Sequence, residues 1–382
     1  MNNAYQLIET PSALENAAEK LANEKVIAVD LESDSMYHFK EKICLMQISA
    51  KSSTVIIDPL KIEDLSPLQL IFANPEIRKV FHGADYDIRS LFRDYEFEVN
   101  NLFDTHLACR FLGYQETGLD ALLNKLFNVS LDKKFQKKDW SRRPLSEEMI
   151  DYAAGDTRYL LPLARIFEKE LKLRRRLSWV REECLLQSRV RPTNNHHEPL
   201  YLNFKGAGSL PPRDLAVLEA ILTLRKTIAE KKDRPLFKIF QNSDIVKMVQ
   251  ARPSSLKRLL KIKALSFKQY EMYGEQVIDA IKAAEQIPKE ELPRYPKLRS
   301  PKLRIKEQER IRVLKTWKDQ KADELGIEPA LVLNKLLISA IAVADPWIEE
   351  DLTRIKEMKN WQIQEFGEEI LLLLKQMRQE TT

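Results

Sequence analysis

The chain has 382 residues and an apolar fraction of 44%, which fits a soluble globular protein of two or three domains. It holds only nine glycines and has neither a G-x-x-x-x-G-K-[ST] nor a G-x-G-x-x-G run, which argues against a nucleotide-driven motor. Net charge is +5, from 62 basic and 57 acidic residues, too mild an excess to identify a nucleic-acid binder.

The distribution of charge says more. Lys133, Lys134, Lys137, Lys138, Arg142 and Arg143 fall in one stretch, Lys172, Arg174, Arg175 and Arg176 in a second, and Lys297, Arg299, Lys302, Arg304 and Lys306 in a third. Each alone reads equally as a solvated face; beside an acidic site the three together read as a track for a phosphate backbone. Cys44, Cys109 and Cys184 are widely spaced, with no CxxC pair, so neither a zinc site nor a disulfide framework is indicated, and a reducing cytoplasm is expected. No basic region followed by an apolar core opens the chain, so no signal peptide is expected. The longest apolar stretch, 331–344, contains Asn334 and Lys335 and is too short for a bilayer span.

Thr10 and Pro11 read as an N-cap and first helical position, opening a helix to about Leu21. Strand-like runs follow at 26–32, 43–50 and 54–58, joined by connections too short for helical crossovers, so antiparallel pairing is expected. A helix at 65–72, a strand at 78–82 and a helix at 85–93 come next, and several more helices fill 105–177. The expected architecture is a mixed sheet with helices on its faces.

From Pro192 to Pro212 the pattern breaks, with Asn194, Asn195, Gly206, Gly208 and the pair Pro211-Pro212 marking a linker. Beyond it the chain reads as helical. A basic, semi-stiff tether with Pro288, Pro293, Pro296 and Pro301 interrupts it. Arg252-Pro253, Leu259 and Tyr273-Gly274-Glu275 recur as Asp345-Pro346, Leu352 and Phe366-Gly367-Glu368, a common offset of 93 residues. A duplicated helical module is expected.

Asp30 and Glu32 end the run Val26-Ile27-Ala28-Val29-Asp30-Leu31-Glu32. Side chains alternate along a strand, so both acids share one face. Paired acids on a buried strand repel and resist desolvation, and a divalent cation relieves both costs; a strand end in solvent is the plain alternative. Asp87 follows in His82-Gly83-Ala84-Asp85-Tyr86-Asp87, which leaves a strand and opens a helix. Either acid there reads also as a first-turn acid favoured by the helix dipole. His82 reads as a hydrogen-bonding group near the site, not a metal ligand. Tyr152 and Asp156 lie four apart on one helix face, with Gly155 between them. Gly costs roughly 1 kcal/mol against Ala in a helix, so a packing or access requirement is expected there.

Taken together, Asp30-x-Glu32, Asp87 and Tyr152-x-x-x-Asp156 resemble the tyrosine-type branch of the DEDD exonuclease superfamily. Lys42-Ile43-Cys44-Leu45-Met46-Gln47-Ile48-Ser49 and Asp139-Trp140-Ser141-Arg142-Arg143-Pro144-Leu145 narrow the resemblance to the ribonuclease D family. The repeated module resembles the HRDC nucleic-acid-binding unit. The resemblance covers essentially the whole chain. It implies an α/β RNase H-like exonuclease domain at 1–192, a first HRDC module at 207–287, a linker at 288–305 and a second module at 306–380. Two departures stand out: Leu31 replaces a frequent Thr, and 263–267 lacks the glycine of many first modules. The second copy has diverged further and is expected to be mainly structural.

The resemblance implies metal-dependent 3′-5′ exoribonuclease chemistry with two ions, Mg2+ or Mn2+, and release of nucleoside 5′-monophosphates. Asp30 would bridge both ions, Glu32 and Asp156 would complete the first position, Asp87 would support the second, and Tyr152 would orient the water. Ser33 and Met36 would sit by the terminal nucleotide, with His82 and Trp140 beside the strand. Trp140 reads equally as a core residue. Arg142 and Arg143 would hold phosphates, and Arg252, Lys257, Arg258, Lys261 and Lys268 would serve the first module. The expected partner is RNA, with tRNA precursors carrying 3′ extensions as the family-level substrate, acted on by a cytoplasmic monomer without a membrane. The rival readings are a 3′-5′ DNA exonuclease, which shares such a site, and an inert RNA-binding scaffold.

Overall fold

The structure is a computed structural model that describes residues 5–192, 198–296 and 303–380. Asn194, Asn195, Lys297, Arg299, Pro301 and Lys302 of the expected linkers lie outside the described residues. Two compact units form, neither of them continuous in sequence: one holds 1–33, 43–192 and 300–382, the other 34–42 and 193–299.

The first unit is built on six strands, β1 (Tyr5–Ile8), β2 (Val26–Ser33), β3 (Ile43–Ser49), β4 (Thr54–Ile57), β5 (Arg78–Phe81) and β6 (Leu102–Asp104), in the order β1-β4-β3-β2-β5-β6. The pairs β2/β3 and β3/β4 are antiparallel, while β1/β4, β2/β5 and β5/β6 are parallel. The three strands read from sequence therefore pair as their short connections require. The outer strands β1 and β6, four and three residues long, were not anticipated, because runs so short carry no readable alternation.

Helices α1 (Pro11–Ala22), α2 (Ser66–Ala73), α3 (Asp85–Tyr95), α4 (Thr105–Phe111), α5 (Leu119–Phe127), α6 (Glu147–Arg158), α7 (Leu160–Leu173) and α8 (Leu177–Gln187) flank this sheet. Thr10 caps α1 through its side chain, with Pro11 at the first position. Ser146 caps α6, the helix that carries Tyr152 and Asp156.

The helical region repeats itself with one offset. In the first copy, α9 (Pro212–Lys231), α10 (Leu236–Ile239), α11 (Asn242–Ala251), α12 (Leu256–Lys261) and α13 (Phe267–Glu285) are followed by α14 (Ile305–Leu325), α15 (Pro329–Val332), α16 (Lys335–Ala344), α17 (Glu349–Thr353) and α18 (Asn360–Glu380) in the second. Every helix of the second copy starts 93 residues after its counterpart, 212 with 305 and 267 with 360 among them. Arg252 and Asp345 close α11 and α16 with matching left-handed φ of 40° and 48°, each before a proline.

The copies pack differently. The first has its own core around Leu218, Ile221, Phe240 and Val277. The second shares a continuous core with the exonuclease sheet. Trp361 stacks on Trp179 at 4.8 Å; the Glu182 carboxylate accepts from the Asn360 and Trp361 amides at the start of α18, both at 2.8 Å. Glu183 pairs with Lys359 at 2.5 Å and accepts from the Trp361 indole at 3.0 Å. A carboxylate at a helix N-terminus satisfies its unpaired N–H groups and favours the dipole.

Candidate active site

Asp30 and Glu32 lie on β2, opposite Gln47 and Leu45 of β3. Cross-strand partners share a face, and α6 covers that face. Asp156 thereby reaches the two strand acids: one carboxylate oxygen from each of Asp30, Glu32 and Asp156 lies within 4.8 Å of the others. Leu31 packs into the main core instead. The hydroxyl of Tyr152 donates to Asp156 one helical turn on.

Asp87 is buried in the first turn of α3. The turn before it needs Gly83, whose φ is +81°. The buried Asp104 carboxylate fixes this turn by accepting from the Gly83 and Ala84 amides at 2.8 and 2.9 Å, and caps α4 at the His106 amide at 2.8 Å. Asp104 and Gln47 are site-supporting residues to which sequence reading assigned no role. Neither gives a local signal, because both act across the sheet.

Electrostatics mark the cluster as a place that favours a cation. Burial raises Asp30 to about 7. It raises Asp156 to about 8, aided by the charge of Asp30 and opposed by the Tyr152 hydrogen bond. Glu32 is held well above the usual range by burial, then by Asp30, Asp156 and Asp87. Asp87 is raised by burial, then by Asp30 and Asp104. Without a cation, these groups must keep protons or repel. The oxygen-only donor set suits a hard divalent ion. Gln47, fully buried opposite Asp30, has neither amide atom hydrogen-bonded, leaving a polar group available to a hydrated ion.

A cavity of about 380 Å³ opens over the carboxylates, lined also by His82, Gly118, Leu119, Asp120, Leu131, Asp132, Lys133, Gln136 and Tyr152. His82 accordingly lies at the site, bonded to Thr105 at 2.9 Å; burial lowers its pKa to about 4, so it is a neutral imidazole at pH 7. Ser33 lies next to the strand acids, 3.2 Å from the Tyr86 hydroxyl. Met36, 41% exposed, belongs to segment 34–42 of the other unit. Arg142 is exposed and pairs with Asp139 at 3.1 Å.

Two expectations are corrected and a third is narrowed. Trp140 is 1% exposed and packs near Tyr152 at 6.1 Å, so no base can stack on it. All five N–H donors of Arg143 are engaged by Asp58, the carbonyls of Trp140 and Arg142, and that of Cys44; it ties the sheet to the segment before α6 and has no donor left for phosphate. A Cβ at Gly155 would meet nothing within 4 Å, so of the two requirements expected there close packing is excluded and access is left. In the second basic stretch, Arg176 is buried and donates to the carbonyls of Phe111 and Leu325, holding the second helical copy. On the first copy Lys257, Arg258, Lys261 and Lys268 are exposed, while Arg252 pairs with Glu285 at 3.1 Å.

These features define a class: a mixed-sheet nuclease domain with a buried carboxylate cluster, followed by paired helical modules. A family profile described as 3′-5′ exonuclease matches residues 5–172, and the HRDC domain matches 214–281 and 307–374. The catalytic core of RRP6 from Trypanosoma brucei is 30% identical, with a TM-score of 0.65 over 74% of this chain and 80% of that one. Escherichia coli RNase D shares the fold at a TM-score of 0.73 and 24% identity, over 98% of this chain and 99% of that one. Ribonuclease D of Haemophilus influenzae is 27% identical over 334 residues, 87% of this chain and 83% of that protein. Protein RRP6-like 3 of Arabidopsis thaliana is 42% identical over 173 residues, 45% of this chain, and the chain spans only 19% of its length. The chain belongs to the ribonuclease D family and is a hydrolytic 3′-5′ exoribonuclease with two HRDC domains.

Proposed function

We propose that the chain trims RNA from its 3′ end at the cluster of Asp30, Glu32, Asp87 and Asp156, releasing nucleoside 5′-monophosphates. The meeting of three of these carboxylates within 4.8 Å, on two elements far apart in sequence, carries the reading. Asp30, Glu32 and Asp156 would hold one divalent ion, Mg2+ or Mn2+, and Asp30 with Asp87 a second. Such a pair, when bound, supplies Lewis-acid activation of water and stabilisation of the leaving oxygen.

The chain's own groups do the positioning. Burial and the neighbouring acids push the Tyr152 phenol far above its ordinary pKa, so it stays protonated and acts by orienting the attacking water, not as a base. Neutral His82 offers the terminal nucleotide a hydrogen bond without charge. Ser33 flanks the 3′ nucleotide, and Arg142 reaches phosphates further along the strand. The exposed basic residues of the first HRDC domain add salt-dependent affinity.

The natural substrate in this reading is a 3′-extended tRNA precursor, whose folded body halts trimming. The site of action is the cytoplasm. Cys44, Cys109 and Cys184 are buried and none forms a disulfide, in keeping with a reducing compartment, and among the described residues no helix is long and apolar enough to cross a membrane. The working domain limits are 1–192, 207–287, 288–305 and 306–380. A time course on 3′-extended tRNA and on matched single-stranded DNA tests the substrate. RNA-selective mononucleotide release supports it, and equal or faster DNA digestion overturns it in favour of a DNA exonuclease.

A further inference from the structure

The duplication supplies an internal comparison. At the 93-residue offset between helix starts, Leu336, Val343, Trp347 and Ile348 of the second HRDC domain stand where the first has Ser243, Gln250, Ser254 and Ser255. All eight residues are exposed. The four apolar ones are 73%, 52%, 68% and 53% exposed, so they do not serve the core. A group of large apolar side chains left in water on one copy, at positions that are polar on the other, marks a surface for another protein. Charge changes sign beside it. Arg252, Lys257 and Arg258 of the first copy correspond to Asp345, Glu350 and Asp351, acids that repel a phosphate backbone.

We propose that a second copy of the chain docks on this face, with α16 antiparallel to its mate across a two-fold axis near Val343. Such an interface uses one patch twice, so the patch must be complementary to itself. The charges supply that complementarity. Lys335 lies eight residues before Val343, and Glu349 and Glu350 lie six and seven after it. Antiparallel pairing therefore sets Lys335 of each chain against Glu349 and Glu350 of the other. Parallel pairing would set like charges together, which is costly. All three residues are exposed, and none of them forms an ion pair among the described residues. The monomer expected from the sequence is then the dilute form.

The apolar groups are presented in an ordered way. Leu336, Ala340 and Val343 follow at spacings of four and three, so they share one face of α16. Leu337, Ile338 and Ile341 of the same helix are in the core. Trp347 and Ile348 come just past the helix end, and their amides donate to the Asp351 carboxylate at 3.0 and 3.3 Å. The Arg378 guanidinium lies 3.9 Å from the Trp347 ring centre and pairs with Asp345 at 2.7 Å. An indole held in place before docking loses little freedom on binding, and Trp is a frequent anchor of interfaces. The ten residues of α16 span only about 15 Å, so self-association of micromolar strength is expected.

Sedimentation velocity of the full chain over about 1 to 200 µM tests this. The variants are Leu336→Ser with Trp347→Ser, which gives the second copy the residues of the first; Lys335→Glu; Glu349→Lys with Glu350→Lys; and, as a control on α2, Leu70→Ser, where the leucine is also exposed. The wild type and the control should pass from monomer to dimer as concentration rises. The double serine variant should associate roughly tenfold more weakly or not at all, with its melting temperature and its mononucleotide release in dilute solution unchanged. Each charge variant alone should weaken association by about tenfold. An equimolar mixture of the two should restore it as a heterodimer, because every facing pair is then opposite in charge. A wild type that stays monomeric over the whole range overturns the proposal, as does a dimer indifferent to the double serine variant. A mixture that gains nothing over its components overturns the antiparallel pairing. If the monomer instead binds a basic amphipathic peptide or RNA through Trp347, the face belongs to that partner and self-docking is overturned.

Discussion

The hydroxyl of Thr157 lies 2.7 Å from that of Ser49, and both side chains are buried. Ser49 closes β3 and Thr157 directly follows Asp156, so one hydrogen bond fixes α6, with its acid and tyrosine, against the sheet that carries Asp30 and Glu32. Ser49 also contacts Thr54 at 2.8 Å, completing a short polar chain in an otherwise apolar layer.

Thr157→Val keeps the shape and removes the hydroxyl. Stability should fall by about 1–2 kcal/mol, the usual cost of leaving a buried partner unpaired, and kcat should fall by roughly tenfold as Asp156 loses its register. Thr157→Ser should retain both. Urea unfolding and steady-state kinetics on the same preparations check this; a stability loss without a rate loss would detach Thr157 from the site.

Gln47 makes a contrasting case. Its amide is buried without a hydrogen-bond partner, so Gln47→Met should be neutral or stabilising in metal-free protein. Divalent-ion affinity should weaken by about 10-fold, in the range seen when groups supporting metal ligands are removed. Melting curves across a Mn2+ titration separate the two effects.

The pH dependence follows from the raised carboxylates. Asp30 at about 7 and Asp156 at about 8 keep protons in the folded, metal-free chain that the unfolded chain releases near pH 4. The folded state thus binds more protons between about pH 4 and 8, and the cluster's contribution to stability is lost as pH rises through that window. A divalent ion replaces those protons. Its stabilising shift in melting temperature should therefore be larger at about pH 8 than at about pH 6. Equal shifts would mean that the ion does not bind at these acids.

Trp361 is 2% exposed and stacked on Trp179. Trp361→Ala should cost about 3–5 kcal/mol and loosen the second HRDC domain from the exonuclease sheet. Hydrogen exchange should rise in α8, α14 and α18, while α9 and α13, in a separate core, stay protected.

What the sequence made legible was what repeats or alternates. Asp30 and Glu32 share a face because strands alternate, and the 93-residue offset between helix starts follows a visible duplication. Positions defined across the fold were not legible. Arg143 and Trp140 stand in a motif that suggests RNA contact, yet Arg143 is engaged by Asp58, 85 residues away, and Trp140 is core. Asp104 gives no local signal, and only the fold shows that it caps α4 and holds the Gly83 turn. That the second helical copy docks through Glu182 and Glu183 depends on partners 176 to 179 residues distant.

The most direct measurement is mononucleotide release from a 3′-labelled RNA with Mg2+ by the wild type and by Asp156→Asn, with binding of the same RNA measured in parallel. The expected result is 5′-monophosphate released one residue at a time from the 3′ end by the wild type, loss of about a thousandfold or more in the variant, and RNA binding retained by both. Undiminished release by Asp156→Asn would contradict the account, because the shared carboxylate cluster would then not be where the phosphodiester is cleaved.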